Sequence, residues 1–345
     1  MSEKHTPVGS LGEFGLIDHL TKNFKLKQAS SIKGVGDDAA VIEHKDACTV
    51  LSTDLLIEGV HFDLSFMPLK HLGYKAVVVN LSDIYAMNAE PTQITVSLAI
   101  SNRFSVEALD ELYAGIHHAC DIYGVDLIGG DTTSSVQGLN ISITAVGRAN
   151  KDDLVYRDGA KEGDFVCVSG DLGSAYMGLQ ILNREKQVYI ENPDMQPQLD
   201  NHQYLVGRQL KPEARKDIIA YLKEFNIKPT AMIDVSDGLS SELMHICTQS
   251  KVGCHIYEAN VPVNNDTYNQ ALEFNMDPIT TALSGGEDYE LLFTVSPADE
   301  SKINTDDIDI SVIGKIVNKD KGLTLQTRAN HLHKLIAQGW NAFKD

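Results

Sequence analysis

The sequence predicts an α/β protein, with mixed, α+β-like sheets divided between two domains. Runs rich in β-branched residues alternate with helix-like segments along most of the chain. Its 345 residues exceed one typical core and suit two. A polar stretch with two glycines, NKDDLVYRDGAKEGD at residues 150 to 164, parts two strand-rich halves. A boundary at its start gives an N-terminal domain of residues 1–149 and a C-terminal domain of residues 150–345.

In chain order, strands are expected at residues 49–53, 92–100, 139–147, 164–170, 231–235, 254–258 and 289–295, where Val, Ile, Thr and aromatic residues concentrate. Helices are expected between them at 70–88, 105–123, 173–184 and 238–250, with 211–224 a fifth candidate. The segment NREKQVYIENPDMQPQLDNHQY, which begins at Asn183, has two Xaa-Pro steps and few core residues. It reads as an insertion or long surface connection. No short-period repeat, heptad pattern or low-complexity tract is present.

Composition excludes several functions. No apolar run approaches the roughly 18 residues of a membrane span. The first twenty residues show no signal or transit peptide, so the cytoplasm is the expected compartment. The five cysteines, Cys48, Cys120, Cys167, Cys247 and Cys254, stand at no zinc or redox spacing and read as small core residues. A formal charge of −19 would repel a nucleic-acid backbone. It would repel a small phosphate ligand equally, unless cations stood between ligand and protein.

Acids recur beside glycines and strand ends. Asp37 and Asp38 lie in GVGDDAAVI, Asp54 follows a strand in STD, Asp131 follows DLIGG, and Asp234 and Asp237 lie in DVSDG. Strand ends are where α/β folds form ligand crevices. Asp83 differs: it shares one face of an apolar helix with Asn80, where an unpaired carboxylate is costly. Taken singly, each acid suits a turn or a helix cap. Together, with hydroxyls at Thr53, Thr132, Thr133 and Ser236 and few bases nearby, they suit Mg²⁺, a hard cation held by carboxylates and phosphates. The stretch from Gly34 to Ala39 also matches a relaxed dinucleotide fingerprint, but Asp37 and Asp38 would then face a bare pyrophosphate. Neither a P-loop nor a protein-kinase signature occurs.

In order, GVGDDAAVI, STDLLIEGVHF, YKAVVVNLSDIYAMNAEP, DLIGGDTT, YRDGAKEGD, IDVSDGLSSEL and LSGGEDYELLF resemble the thiamine-monophosphate kinase family of the aminoimidazole-ribonucleotide-synthetase-like superfamily. The resemblance runs from about Gly12 to Phe343. It implies an N-terminal α/β domain whose strands pair across a homodimer, a C-terminal α/β domain, and ATP with several Mg²⁺ ions between them. The implied metal ligands are Asp38, Thr53, Asp54, Asp83, Asp131, Asp234 and Asp237. The implied ATP contacts are Asp38, Gly130, Asp131, Arg157 and Ser236. Contacts to thiamine monophosphate fall on His61, Glu287 and Trp340, the only tryptophan. Ser134 and Ser135 stand where some relatives carry an arginine after GGDTT.

The implied reaction moves the ATP γ-phosphoryl group to the phosphate of thiamine monophosphate. That acceptor oxygen is already largely ionised at neutral pH, so no catalytic base is expected, and positioning and charge neutralisation carry the chemistry. Two unit charges 4 Å apart repel by roughly 4 kcal/mol at an effective dielectric near 20, which bridging cations offset. Two other readings are a synthetase of the same superfamily and a non-catalytic nucleotide-binding protein. Selenophosphate synthetases would need a reactive Cys or selenocysteine in an N-terminal loop, whereas Cys48 sits in a strand-like run. Aminoimidazole-ribonucleotide synthetases would need Gly-Thr-Lys after the early strand acid, where Leu55, Leu56 and Ile57 stand.

Overall fold

The computed structural model describes residues 12–21, 23, 26–45, 47–303 and 308–336. After helix α1 (Gly12–Thr21), the first half builds a sheet from β1 (Ser31–Lys33), β2 (Ala40–Glu43), β3 (Cys48–Ile57), β4 (Glu90–Ile100), β5 (Asp126–Ser134) and β6 (Leu139–Ala149). Their order is β1-β2-β3-β6-β4-β5. All neighbours are antiparallel except β4 and β5. Helices α2 (Leu69–Ala86) and α3 (Val106–Tyr123) supply the crossover connections.

Helix α2 is apolar on nearly every side, and a helix with that pattern belongs inside. It is buried along most of its length and packs on β3, β4 and β6 as well as on α3. Helices α2 and α3 touch backbone to backbone. A Cβ on Gly73 would lie 2.0 Å from the Leu112 carbonyl oxygen, and one on Gly115 would lie 1.9 Å from that of Lys70. Ser105 caps α3 through the Ala108 amide at 3.3 Å, and Gly124 ends it in the left-handed conformation.

The second half builds a second sheet from β7 (Phe165–Ser169), β8 (Ala231–Asp234), β9 (Gly253–Tyr257), β10 (Leu291–Val295), β11 (Ile310–Val317), β12 (Leu323–Gln326) and β13 (Leu332–Lys334). The order is β13-β12-β9-β11-β7-β10-β8, with only β12 and β9 parallel. Its helices are α4 (Ser174–Glu191), α5 (Gln203–Leu210), α6 (Lys216–Glu224), α7 (Leu239–Ser250), α8 (Asn265–Glu273), α9 (Pro278–Ser284) and the short α10 (Glu300–Ile303). One apolar cluster joins α2 and β3 to residues of α4 and α5, including Met177, Ile181 and Leu205. The halves therefore share a core, and α2 reaches β8 across it.

Three expectations need correction. The segment from Asn183 is a surface connection only in part: α4 continues through it to Glu191, Glu185 is buried and accepts the Gln198 amide at 2.8 Å, residues 192–198 form an exposed link, and α5 returns Leu205 and Val206 to the core. The exposed charged face of an amphipathic helix resembles a loop when read by composition. The helix expected from 211 starts at Lys216, past Pro212, which disfavours helix in the residue before it. Asp54 and Asp131 lie within β3 and β5 and not at their ends.

Candidate functional site

The two halves enclose a cavity of about 890 Å³. Three of its walls bring one acid each. Asp38 stands in the loop before β2, Asp83 on α2 and Asp234 at the end of β8, and each offers a carboxylate oxygen within 4.8 Å of the others. Neighbours orient them. The Ser82 hydroxyl donates to Asp234 Oδ2 at 2.7 Å, the Ser52 hydroxyl donates to Asp83 Oδ2, and Arg157 spans both oxygens of Asp38 at 2.8 and 2.7 Å. Asn80 accepts the Asp54 amide at 3.0 Å and donates to the Ala76 carbonyl at 3.0 Å, which pins β3 to α2.

This crowding shifts protonation. Burial, then the charges of Asp54, Asp234 and Asp38, push Asp83 well above the usual carboxylate range. Burial, then Asp38, pushes Asp234 up to about 7, although Ser82 and Arg157 oppose it. Such a set of hard oxygen donors fits Mg²⁺, which would relieve the repulsion.

Thr53, Asp54, Ser236 and Asp237 line the same cavity. Thr53 donates to the Ile143 carbonyl at 3.1 Å. The amides of Ser236 and Asp237 donate to buried Glu242 at 3.1 and 2.8 Å, which fixes the turn entering α7. Asp37, in contrast, binds Lys33 at 2.7 Å and accepts the Asp38 amide at 3.1 Å, so it shapes the loop.

Glu287 and His61 also line the cavity. Glu287 adopts φ +68° and Tyr289 φ +53°, so this turn is held against its local preference. His61 Nδ1 accepts the Ile57 amide at 3.0 Å, which puts the proton of the neutral ring on Nε2. Burial lowers its pKa, as does Lys75, while Glu287 opposes.

The structure does not bring every expected residue here. Gly130 and Asp131 lie on β5, the exposed edge strand, outside the cavity lining. Gly130 has a packing reason of its own, since a Cβ there would fall 1.8 Å from the Val96 carbonyl oxygen. Trp340 lies outside the described residues. Lys75, Gln209, Tyr289 and Phe14 line the cavity unanticipated. Phe14 packs on His245 with ring centroids 4.2 Å apart. Lys75 carried a signal: a lone lysine amid the apolar run of α2 must find a buried partner.

Comparison with known proteins agrees with this architecture. Residues 36–149 match the AIR synthase related protein N-terminal domain, and residues 161–325 match the corresponding C-terminal domain. The thiamine-monophosphate kinase of Aquifex aeolicus is 36% identical over 284 residues, covering 82% of this chain and 86% of that protein. That of Bacillus subtilis is 33% identical, covering 97% of this chain and all of the relative. The solved structure of AaThiL complexed with AMPPCP and TMP superposes with a TM-score of 0.82 at 31% identity, covering 98% of this chain and 99% of that one. No helix among the described residues is long and apolar enough to cross a membrane. On these grounds the chain belongs to the thiamine-monophosphate kinase family.

Proposed function

We propose that this chain transfers the γ-phosphoryl group of ATP in line to the terminal phosphate of thiamine monophosphate in the cytoplasm, releasing thiamine diphosphate and ADP. One observation carries the proposal: a single cavity is lined both by a trio of carboxylates and by Glu287 and His61. The AaThiL complex with AMPPCP and TMP supports this pair of substrates.

Asp38, Asp83 and Asp234, with Thr53, Asp54 and Asp237 beside them, would hold Mg²⁺. Bound there, Mg²⁺ would supply the positive charge that lets two phosphate groups approach each other. The chain's own residues position and exclude. Arg157 orients Asp38, Glu242 sets the turn bearing Ser236 and Asp237, and Glu287 and His61 face the acceptor. No general base is required, because the attacking phosphate oxygen is already ionised.

We place the domain boundary at residue 150 and take the working enzyme to be a homodimer joined through the first sheet. Strand β5 supports the dimer: all nine of its residues are exposed at a sheet edge, Leu127 and Ile128 among them. An unpaired edge that exposes Leu127 and Ile128 invites another strand. Asp131 would then serve the cavity of the partner copy. The deciding assay couples ADP release to thiamine monophosphate addition and identifies the product. ATP bound without acceptor-dependent ADP release would overturn the kinase reading.

A further inference from the structure

Gln209, near the end of α5, carries a polar atom that its surroundings do not answer. The residue is only 2% exposed and lines the cavity. Its Nε2 donates to Glu287 Oε2 at 2.7 Å, which sets the amide's orientation because an ionised carboxylate only accepts. Its Oε1 is buried and has no hydrogen-bond partner among the described residues. Buried carbonyls rarely stay unpaired in a native protein, and an unpaired one on a residue that lines a cavity points to a ligand that donates.

The amide cannot turn away. Glu287 Oε1 is held by Lys75 Nζ at 2.7 Å, and that ammonium, 1% exposed, also donates to the Gln209 backbone carbonyl at 3.1 Å. Lys75, Glu287 and Gln209 thus fix one another. Arg208, the preceding residue, grips Glu290 at 2.9 Å, so two adjacent residues of α5 clamp both ends of the strained turn.

We propose that Gln209 Oε1 is a specificity-determining acceptor for the exocyclic amine on the pyrimidine ring of thiamine monophosphate, an assignment that rests on the kinase reading above. Among the groups of that molecule, the amine donates, the pyrimidine ring nitrogens accept, the quaternary thiazolium nitrogen does neither, and the phosphate is anionic. A fixed carbonyl next to a carboxylate selects the donor. An analogue with oxygen in place of the amine sets acceptor against acceptor and leaves both unpaired. The contact exists before and during transfer, so it acts on the Michaelis constant and leaves turnover nearly unchanged.

The test compares thiamine monophosphate with its oxo analogue, using wild type, Gln209→Leu and Gln209→Met, with melting curves for each. Wild type should show a KM about tenfold or more higher for the analogue. Either folded variant should raise the KM for thiamine monophosphate roughly three- to tenfold, leave that for ATP unchanged, and prefer neither compound by more than about twofold. Equal use of both compounds by wild type, or full discrimination retained by a folded variant, overturns the assignment. Turnover of neither compound by wild type overturns the reaction itself and the assignment with it, and no Gln209 variant is needed to see that result.

Discussion

Arg157, from the segment that leads into the second sheet, lays Nε and Nη2 against the two carboxylate oxygens of Asp38 at 2.8 and 2.7 Å. This planar fork crosses from one half of the chain to the other. Its carbonyl in turn accepts the Ser250 hydroxyl at 3.0 Å, which ties the arginine's backbone to the end of α7. Asp38 therefore stands beside Asp83 and Asp234 with its charge opposed by one cation.

Arg157→Ala removes that cation and leaves buried Asp38 uncompensated beside Asp83 and Asp234, a class of change that costs about 3 kcal/mol or more. The metal-free variant should melt below wild type. Mg²⁺ should restore more of the lost stability than it adds to wild type, because it supplies the missing charge. Melting curves in chelator and in Mg²⁺ check this, and an equal Mg²⁺ shift in both proteins would count against the trio as a metal site.

Asp83→Asn should separate stability from activity. Burial and the neighbouring Asp54, Asp234 and Asp38 disfavour the charged carboxylate, so a neutral amide should raise the melting temperature of the metal-free protein at pH 8. The amide oxygen can still accept from Ser52. Turnover should fall by about a hundredfold or more, since a charged ligand is lost from an anionic site. Near-normal turnover would remove Asp83 from the machinery.

Much of this was legible in the residues. Helix α2 and the central strands announce themselves through their apolar runs, and six of the seven expected metal ligands, five acids and Thr53, line the cavity. What stayed hidden was pairing across the chain. Lys75 meets the carbonyl of Gln209, a residue 134 positions away, and no local pattern announces such a contact. The strand position of Asp131 was hidden because Gly129 and Gly130 read as a turn, whereas β5 continues through them after an irregularity at Ile128, with Gly130 packed against the backbone of Val96.

Asp288 gives a pH prediction. Burial pushes its pKa up to about 7, against the lowering pull of Arg208 and of the Gly173 and Ala175 amides, while Asp171 raises it further. A carboxyl with a folded pKa above its unfolded value of roughly 3.9 stabilises most below that value and loses the contribution as pH rises toward 7. Asp288→Asn does not titrate. The stability of wild type relative to this variant should therefore fall between about pH 4 and 7, as read by denaturant unfolding across that range. A difference that is flat or rises with pH would show that the amides and Arg208 keep Asp288 ionised throughout.

The dimer and the placement of Asp131 can be tested together. Asp131 sits on edge strand β5 and does not line the cavity of its own chain, whereas Asp83 does. If β5 joins two copies, each cavity combines its own Asp83 with Asp131 of the partner subunit. Asp131→Asn and Asp83→Asn should each be nearly inactive alone. When the two variants are mixed and allowed to exchange subunits, half of the dimers pair one with the other. In each such dimer one site regains both acids and the second loses both, so the mixture should recover up to about a quarter of wild-type activity. If Asp131 acted within its own chain, every site would lack one acid and no mixture would recover. Ile128→Lys, which places a charge on the exposed edge, supplies the control: it should sediment near the 37.8 kDa chain mass and abolish complementation in either background. Recovery that survives this substitution would locate the shared interface elsewhere.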